Sequence, residues 1–92
     1  MTNLRKAAKG RECQIRIPGV CCGDNETTVL CHLGGGGMGR KRHDIHGAIG
    51  CYLCHDVCDG RRRADIPQDI LKLWFLEAVI RTQEIWIDEG LI

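Results

Sequence analysis

Seven cysteines and four histidines in 92 residues constrain the fold of this chain more than any other feature. A chain of this length supports one hydrophobic core, and only two Trp, one Tyr and one Phe are available to fill it. We therefore predict a single domain over residues 1–92 whose small core is cross-linked. An odd number of cysteines and an N-terminus without an apolar leader favour the reducing cytoplasm, where clustered cysteines bind metal more often than they form disulfides.

The cysteine spacing predicts a structural zinc site. Two residues separate Cys51 from Cys54, the spacing at which two thiolates of one tight turn reach the same tetrahedral ion. Cys13 and Cys21 form a second pair, which flanks the Pro-Gly turn at residues 18–19, and this turn brings the two ends of the 13–21 segment together. Cys22 would point away from this pair in an extended chain. We expect the zinc ligands to be Cys13, Cys21, Cys51 and Cys54.

Other interpretations of the cysteines stay open. Some of them, above all Cys31 and Cys58, could be small buried hydrophobic side chains. Residues 51–55 also match the Cys-x-x-Cys-His signature of covalent haem attachment, which would require export and would leave the other cysteines without a role. A thioredoxin-type redox pair is disfavoured because no βαβ pattern surrounds it.

Hydrophobic periodicity predicts an α+β fold of short elements followed by one long helix. Alternating and β-branched residues indicate strands, and glycines mark where these elements stop. The glycine-rich segment before residue 40 lacks the Lys-Ser/Thr ending of a P-loop, so we expect a loop there. The predicted short elements are a basic helical turn at 4–11, strands at 14–17, 27–33 and 47–50, and a helix at 55–60.

The long helix should occupy most of residues 64–92. Asp65 is the expected N-cap, with Gln68 completing a capping box, Pro67 in the first turn and Gly90 as the stop. Polar residues form one stripe, and the remaining apolar surface is wide enough for two partners. We expect this helix to pack on residues 1–63, or on a second copy of the chain in a homodimer.

Charge is divided unevenly along the chain. Residues 1–63 contain eleven Lys and Arg against six Asp and Glu, whereas residues 64–92 contain two against six. Clustered cations of this kind neutralise phosphates, although each cluster could also be ordinary solvated surface, including the N-terminal group that ends at Arg11. No segment is long and apolar enough to span a membrane, so we expect no membrane partner. The residues predicted to bind nucleic acid are Arg40, Lys41, Arg42, Arg61 and Arg62.

Three polar residues outside the cysteine set suggest hydrolytic chemistry. His32 ends a predicted strand, and His55 and Asp59 are four residues apart, on one face of a predicted helix. A neutral imidazole near a metal-bound phosphodiester can activate water as a general base. The order strand, loop, strand, helix could bring these side chains to one place. The alternative stays open, since a lone His in a strand is more often structural and Asp59 could simply cap the helix or be solvated.

Several segments resemble the HNH, or His-Me finger, nucleases, and in particular the small prophage-encoded YbcO-like nucleases. The HNH resemblance implies a ββα-metal unit, often stapled by zinc, with a catalytic His at the end of the first strand and metal ligands on the following helix. The segments that carry the resemblance are RECQIRIPGVC (11–21), ETTVLCHL (26–33), GA (47–48), CYLCHD (51–56), DGR (59–61) and stretches at 75–77 and 79–83.

The resemblance assigns roles to individual residues. His32 takes the position of the general base, and Asp44 is the nearest substitute for the Asn that braces it in many HNH enzymes. His55 and Asp59 take the positions that hold a divalent cation such as Mg²⁺. Cys31 stands where many of these enzymes carry an Asp ligand. The resemblance thus implies a metal-dependent endonuclease that acts on DNA; the alternative is an inactive zinc module that binds nucleic acid or a phage protein.

Overall fold

The computed structural model describes residues 3–32, 43–60 and 62–92, which form a small α+β fold. Two short strands pair in an antiparallel sheet, and a long C-terminal helix packs against the second of them. Short 3-10 turns precede each strand at Asn25–Thr27 and Asp44–His46. The remaining elements are α1 (Leu4–Ala8), β1 (Val29–Cys31), β2 (Ala48–Gly50), α2 (Tyr52–Cys58) and α3 (Gln68–Asp88).

The sheet is small and closely packed. Leu30 of β1 lies opposite Ile49 of β2, with one further pair on each side. A Cβ built on Gly50 would lie 2.6 Å from a side-chain carbon of Ile15 and 3.0 Å from the Cys31 sulfur, so only glycine fits at the end of β2. The packing of Ile15 and Cys31 at this point therefore leaves no room for a side chain at residue 50.

The outward-facing backbone groups of β2 bond to two other segments. The N–H of Gln14 donates to the Ile49 carbonyl over 2.7 Å, and the Ile49 N–H donates to the hydroxyl of Thr82 on α3 over 3.1 Å. Thr82 is fully buried. Without this hydroxyl the buried Ile49 N–H would lack an acceptor, which is costly, so the bond holds α3 against the sheet.

The predicted strand at residues 14–17 is wrong. Arg16 has a φ of +52°, which turns the chain so that its N–H points at the Cys13 sulfur. Both Ile15 and Ile17 are buried, as is Gln14, so the alternating pattern does not reflect a sheet face. The predicted strand at 27–33 is shorter than expected: residue 27 belongs to a 3-10 turn, and residue 33 lies outside the described residues.

Helix α3 begins later than the sequence pattern predicts. Pro67 has an extended backbone, with ψ at 143°, and occupies the N-cap position without a side-chain hydrogen bond, so Asp65 is not the cap. A residue that precedes proline disfavours helical dihedrals, which explains why Ile66 is not part of the helix. The predicted stop is confirmed, because Gly90 follows the C-cap with a φ of +72°.

The core consists of two clusters that α3 joins. The larger contains three of the predicted zinc ligands with Phe75 and Val79 of α3, and the smaller surrounds the fully buried Trp86. Arg11 lies over the Trp86 ring, 5.2 Å from its centroid, and forms two hydrogen bonds with the Glu89 carboxylate. This cation of the N-terminal basic group therefore joins two distant segments of the chain.

Candidate metal centre and histidine site

Four cysteine sulfurs lie within 4.8 Å of one another and could hold a metal ion such as zinc. They come from the turn at residues 13–16, from the end of the Pro-Gly turn, and from the first turn of α2. Three of the four are buried, and the fourth is half-buried. These cysteines are Cys13, Cys21, Cys51 and Cys54.

Backbone N–H groups point at two of these sulfurs. The Arg16 N–H donates to Cys13 over 3.4 Å, and the Cys54 N–H donates over 3.5 Å to Cys51, which caps the N-terminus of α2. Such bonds stabilise a sulfur that carries negative charge. Each turn therefore holds its cysteine in a form suited to metal binding.

The thiols also influence one another. A hydrogen bond from Cys54, supplemented by the backbone N–H of Arg16, lowers the pKa of Cys13 to about 4 against the opposing effect of burial. The same bond raises the pKa of Cys54, and burial raises the pKa of Cys21 to about 11. The cluster thus favours at least one thiolate even without a cation, and a divalent cation would stabilise further thiolates.

The remaining cysteines lie outside this cluster. Cys31 is fully buried in β1, and burial raises the pKa of its thiol well above the ordinary value. Burial also raises the pKa of Cys58 to about 11. Both are therefore neutral thiols that pack in the core. Cys22 is exposed, and its sulfur is 3.8 Å from the Thr27 hydroxyl.

His32 directly follows β1 and is paired with Asp44. Its Nε2 lies 2.7 Å from Asp44 Oδ1, and the Arg5 guanidinium donates to the same oxygen over 3.1 Å. The hydrogen bond from His32, followed by that from Arg5, lowers the pKa of the Asp44 carboxyl. An ionised carboxylate only accepts hydrogen bonds, so a neutral His32 carries its proton on Nε2 and leaves Nδ1 free to accept one.

His55 and Asp59 lie on one face of α2 and at its end. His55 Nε2 is 3.0 Å from Asp59 Oδ2, and both side chains are about one quarter exposed, at 28% and 24%. Two such groups can bind one cation together, with water completing its coordination. Among the residues that the structure describes, the cysteine cluster is the one group of three or more close metal-binding side chains.

Most of the residues predicted to bind nucleic acid lie outside the part of the chain that the structure describes. Arg40, Lys41, Arg42 and Arg61 lie outside the described residues. Arg62 is exposed and, with Arg63, lines a cleft of ≈ 560 Å³ between the end of α2 and the start of α3. This cleft therefore presents two cations to solvent beside the apolar side chains of Val57 and Leu71.

Two contributors to these sites have no clear signal in the sequence. Arg5 belongs to a general basic pattern at the N-terminus, and nothing in its local sequence links it to residue 44, which is 39 positions away. The N–H of Arg16 depends on a left-handed backbone that a non-glycine residue rarely adopts.

Comparison with known proteins relates most of the chain to one family. The family model described as "Putative nuclease YbcO" matches residues 2–91. Proteins of that name from Escherichia coli K12 and Enterobacteria phage 82 are each 50% identical over 95 residues, covering 100% of this chain and 98% of theirs. A solved structure of a "putative bacteriophage protein" from E. coli K-12 is 48% identical, with a TM-score of 0.83 over 96% of this chain and 100% of that one.

Proposed function

Because this chain belongs to the YbcO family, which is described as a nuclease family, we propose that it is a metal-dependent endonuclease acting on DNA. A nuclease hydrolyses phosphodiester bonds of nucleic acids. The observation that carries it is the 2.7 Å pair of His32 with Asp44, in a chain that also has a cysteine cluster suited to zinc. No helix of the described residues is long and apolar enough to cross a membrane.

In this mechanism His32 is the general base. Asp44 accepts the Nε2 proton of the neutral ring and thereby fixes the tautomer whose Nδ1 faces away from the carboxylate. Nδ1 takes a proton from the water that attacks phosphorus, and the imidazolium that forms is stabilised by the Asp44 charge. Arg5 orients Asp44 through their 3.1 Å hydrogen bond.

His55 and Asp59 are proposed to hold a divalent cation such as Mg²⁺. When bound, this cation would stabilise negative charge on the phosphate and on the departing oxygen. His55 Nε2 and Asp59 Oδ2 are 3.0 Å apart, and both side chains are partly exposed, so a cation from solvent can reach the pair. Magnesium commonly uses one or two protein ligands and keeps several waters, so two side chains are sufficient.

The order β1, β2, α2 supports an HNH, or His-Me finger, arrangement. His32 directly follows β1, and His55 lies in the helix after β2, as the ββα-metal unit requires. We propose that the four-cysteine cluster holds a structural zinc that fixes α2 against the turn at residues 13–16. Zinc fits this donor set because buried thiolates are its preferred ligands.

The test is nicking of supercoiled plasmid by the purified protein in Mg²⁺, in Mn²⁺ and in EDTA. We expect cation-dependent nicking that His32→Ala lowers by at least about 100-fold, the usual range for a general base. His43→Ala is the matched control, because this histidine is exposed and close in sequence to Asp44 but makes no capping hydrogen bond. Zinc content and thermal melting confirm that each variant is folded.

The outcomes separate the two interpretations of the sequence. Nicking lost in His32→Ala but retained in His43→Ala supports the enzyme and its base. Equal activity in all three proteins would assign the nicking to a contaminant. No activity from the folded wild type would refute the nuclease and leave a zinc-binding module.

A further inference from the structure

Helix α3 carries a stripe of exposed apolar side chains on the side that faces away from the core. Of the six exposed large hydrophobic residues in the described part of the chain, four lie on α3 and are 44–60% exposed. They are spaced at three, four and seven residues, so they follow one line along the helix over about 21 Å. These residues, the α3 stripe, are Leu73, Leu76, Ile80 and Ile87.

The spacing of the α3 stripe is that of a coiled-coil seam. With Leu73 at position a, Leu76 is at d, and Ile80 and Ile87 are at the next two a positions. The core-facing residues of α3 occupy the c, f and g positions, where Phe75, Ala78 and Trp86 are buried, so Lys72 is at an exposed g position only in the first turns of the helix. One helix therefore has two separate apolar surfaces, and the second contacts nothing within this chain's core clusters.

The charges beside the α3 stripe differ on its two flanks. One flank carries the exposed Lys72 at a g position, and the other carries the exposed Glu77 and Glu84 at e positions. In a parallel pair each g residue faces the e residue five positions later on the other chain. Lys72 of each chain therefore faces Glu77 of the other, which gives two attractive pairs. In an antiparallel pair the acidic flanks would face each other, and like charges oppose association.

We propose that the α3 stripe is the interface of a homodimer in which two copies of α3 pack in parallel. Three a positions and the first d position supply the apolar seam, while Gln83 at the second d position donates to the Ile45 carbonyl of its own chain. The Lys72 and Glu77 flanks select the direction. Since the twofold axis of such a dimer runs along the seam, each chain contributes the same residues to it. The buried face of α3 stays in contact with its own sheet, so neither chain has to unfold to associate.

Sedimentation equilibrium of the 92-residue chain, purified with zinc, tests the proposal. We expect a mass of twice 10.3 kDa at sub-millimolar concentration. Ile80→Glu, which places two carboxylates in the seam, should yield the monomer mass. Ile92→Glu is the matched control, because Ile92 is similarly exposed at 54% but lies beyond α3, and it should stay dimeric.

A charge exchange tests the parallel direction with exposed residues only, so folding is not at issue. Lys72→Glu should raise the dimer dissociation constant roughly tenfold, because both attractive pairs become repulsive. Adding Glu77→Lys should restore the original constant. A monomeric wild type, a dimer that survives Ile80→Glu, or an exchange that fails to restore affinity would each overturn the proposed dimer.

Discussion

Replacing Cys54 by serine should abolish the proposed zinc binding and destabilise the fold. Cys54 is fully buried in the first turns of α2, and its sulfur lies among the other three thiols of the cysteine cluster. Serine is close in volume, so the substitution creates little cavity. Its hydroxyl is a poor zinc ligand, and a tetrahedral site with three thiolates loses much of its affinity.

The expected loss in the free energy of unfolding can be bounded from the contribution of zinc and from the packing that does not depend on it. Zinc contributes about 10–16 kcal/mol to peptides that fold only with the metal, whereas domains of this size are stable by about 5–15 kcal/mol in total. The smaller core around Trp86 contains none of the four ligands, so part of the packing survives. We therefore expect a loss of about 5 kcal/mol, which lowers Tm by at least about 20 °C in a chain of this length.

Metal analysis and thermal melting of the same samples provide the test, with Cys58→Ser as the control. Cys58 lies one turn further along α2 and is half-buried, but its sulfur is not among the four. The wild type and Cys58→Ser should both contain about one zinc per chain, as a four-thiolate site predicts, and Cys54→Ser close to none. If Cys54→Ser retains zinc or melts with the control, the cluster is not the metal site.

Two further predictions concern hydrogen bonds that join distant segments. Thr82→Val should cost about 1–3 kcal/mol in urea unfolding, because the buried Ile49 N–H loses its acceptor, whereas Thr82→Ser keeps it and should cost less; equal losses would contradict the bond. His32 lowers the pKa of Asp44, so this carboxylate stabilises the fold above its unfolded pKa and ceases to do so as the pH falls through the folded value. Asp44→Asn should therefore cost up to about 1 kcal/mol at pH 7 and progressively less as the pH falls through the folded pKa of Asp44, and a pH-independent cost would refute the shift.

The features that were predicted correctly from the sequence are those set by residues close together along the chain. Short cysteine spacing and a turn between two cysteines predicted each pair of thiols, because tight turns bring their ends close; the tertiary fold brings the two pairs together. The long helix was equally clear from its periodicity. The end of the helix at Gly90 was predicted correctly because glycine readily adopts the positive φ with which many helices end, so the residue type alone is a local signal.

The features that the sequence did not predict depend on tertiary contacts or on unusual dihedrals. The alternation at residues 14–17 suggested a strand, but Arg16 adopts a left-handed conformation that serves the Cys13 sulfur. Asp65 matched a capping box, yet the dihedral preference of the residue before Pro67 delays the helix. The pairing of Arg5 with Asp44 connects residues 39 positions apart and is set by where α1 packs.

The bonds of Ile49 to Gln14 and Thr82 also determine how the sheet can grow. A strand at the margin of a sheet normally offers free N–H and carbonyl groups to any extended peptide that approaches it. In β2 the central residue has already committed both groups, one to a loop and one to a helix hydroxyl. The sheet is therefore closed to strand addition on that side, where α3 covers the backbone groups that a further strand would need.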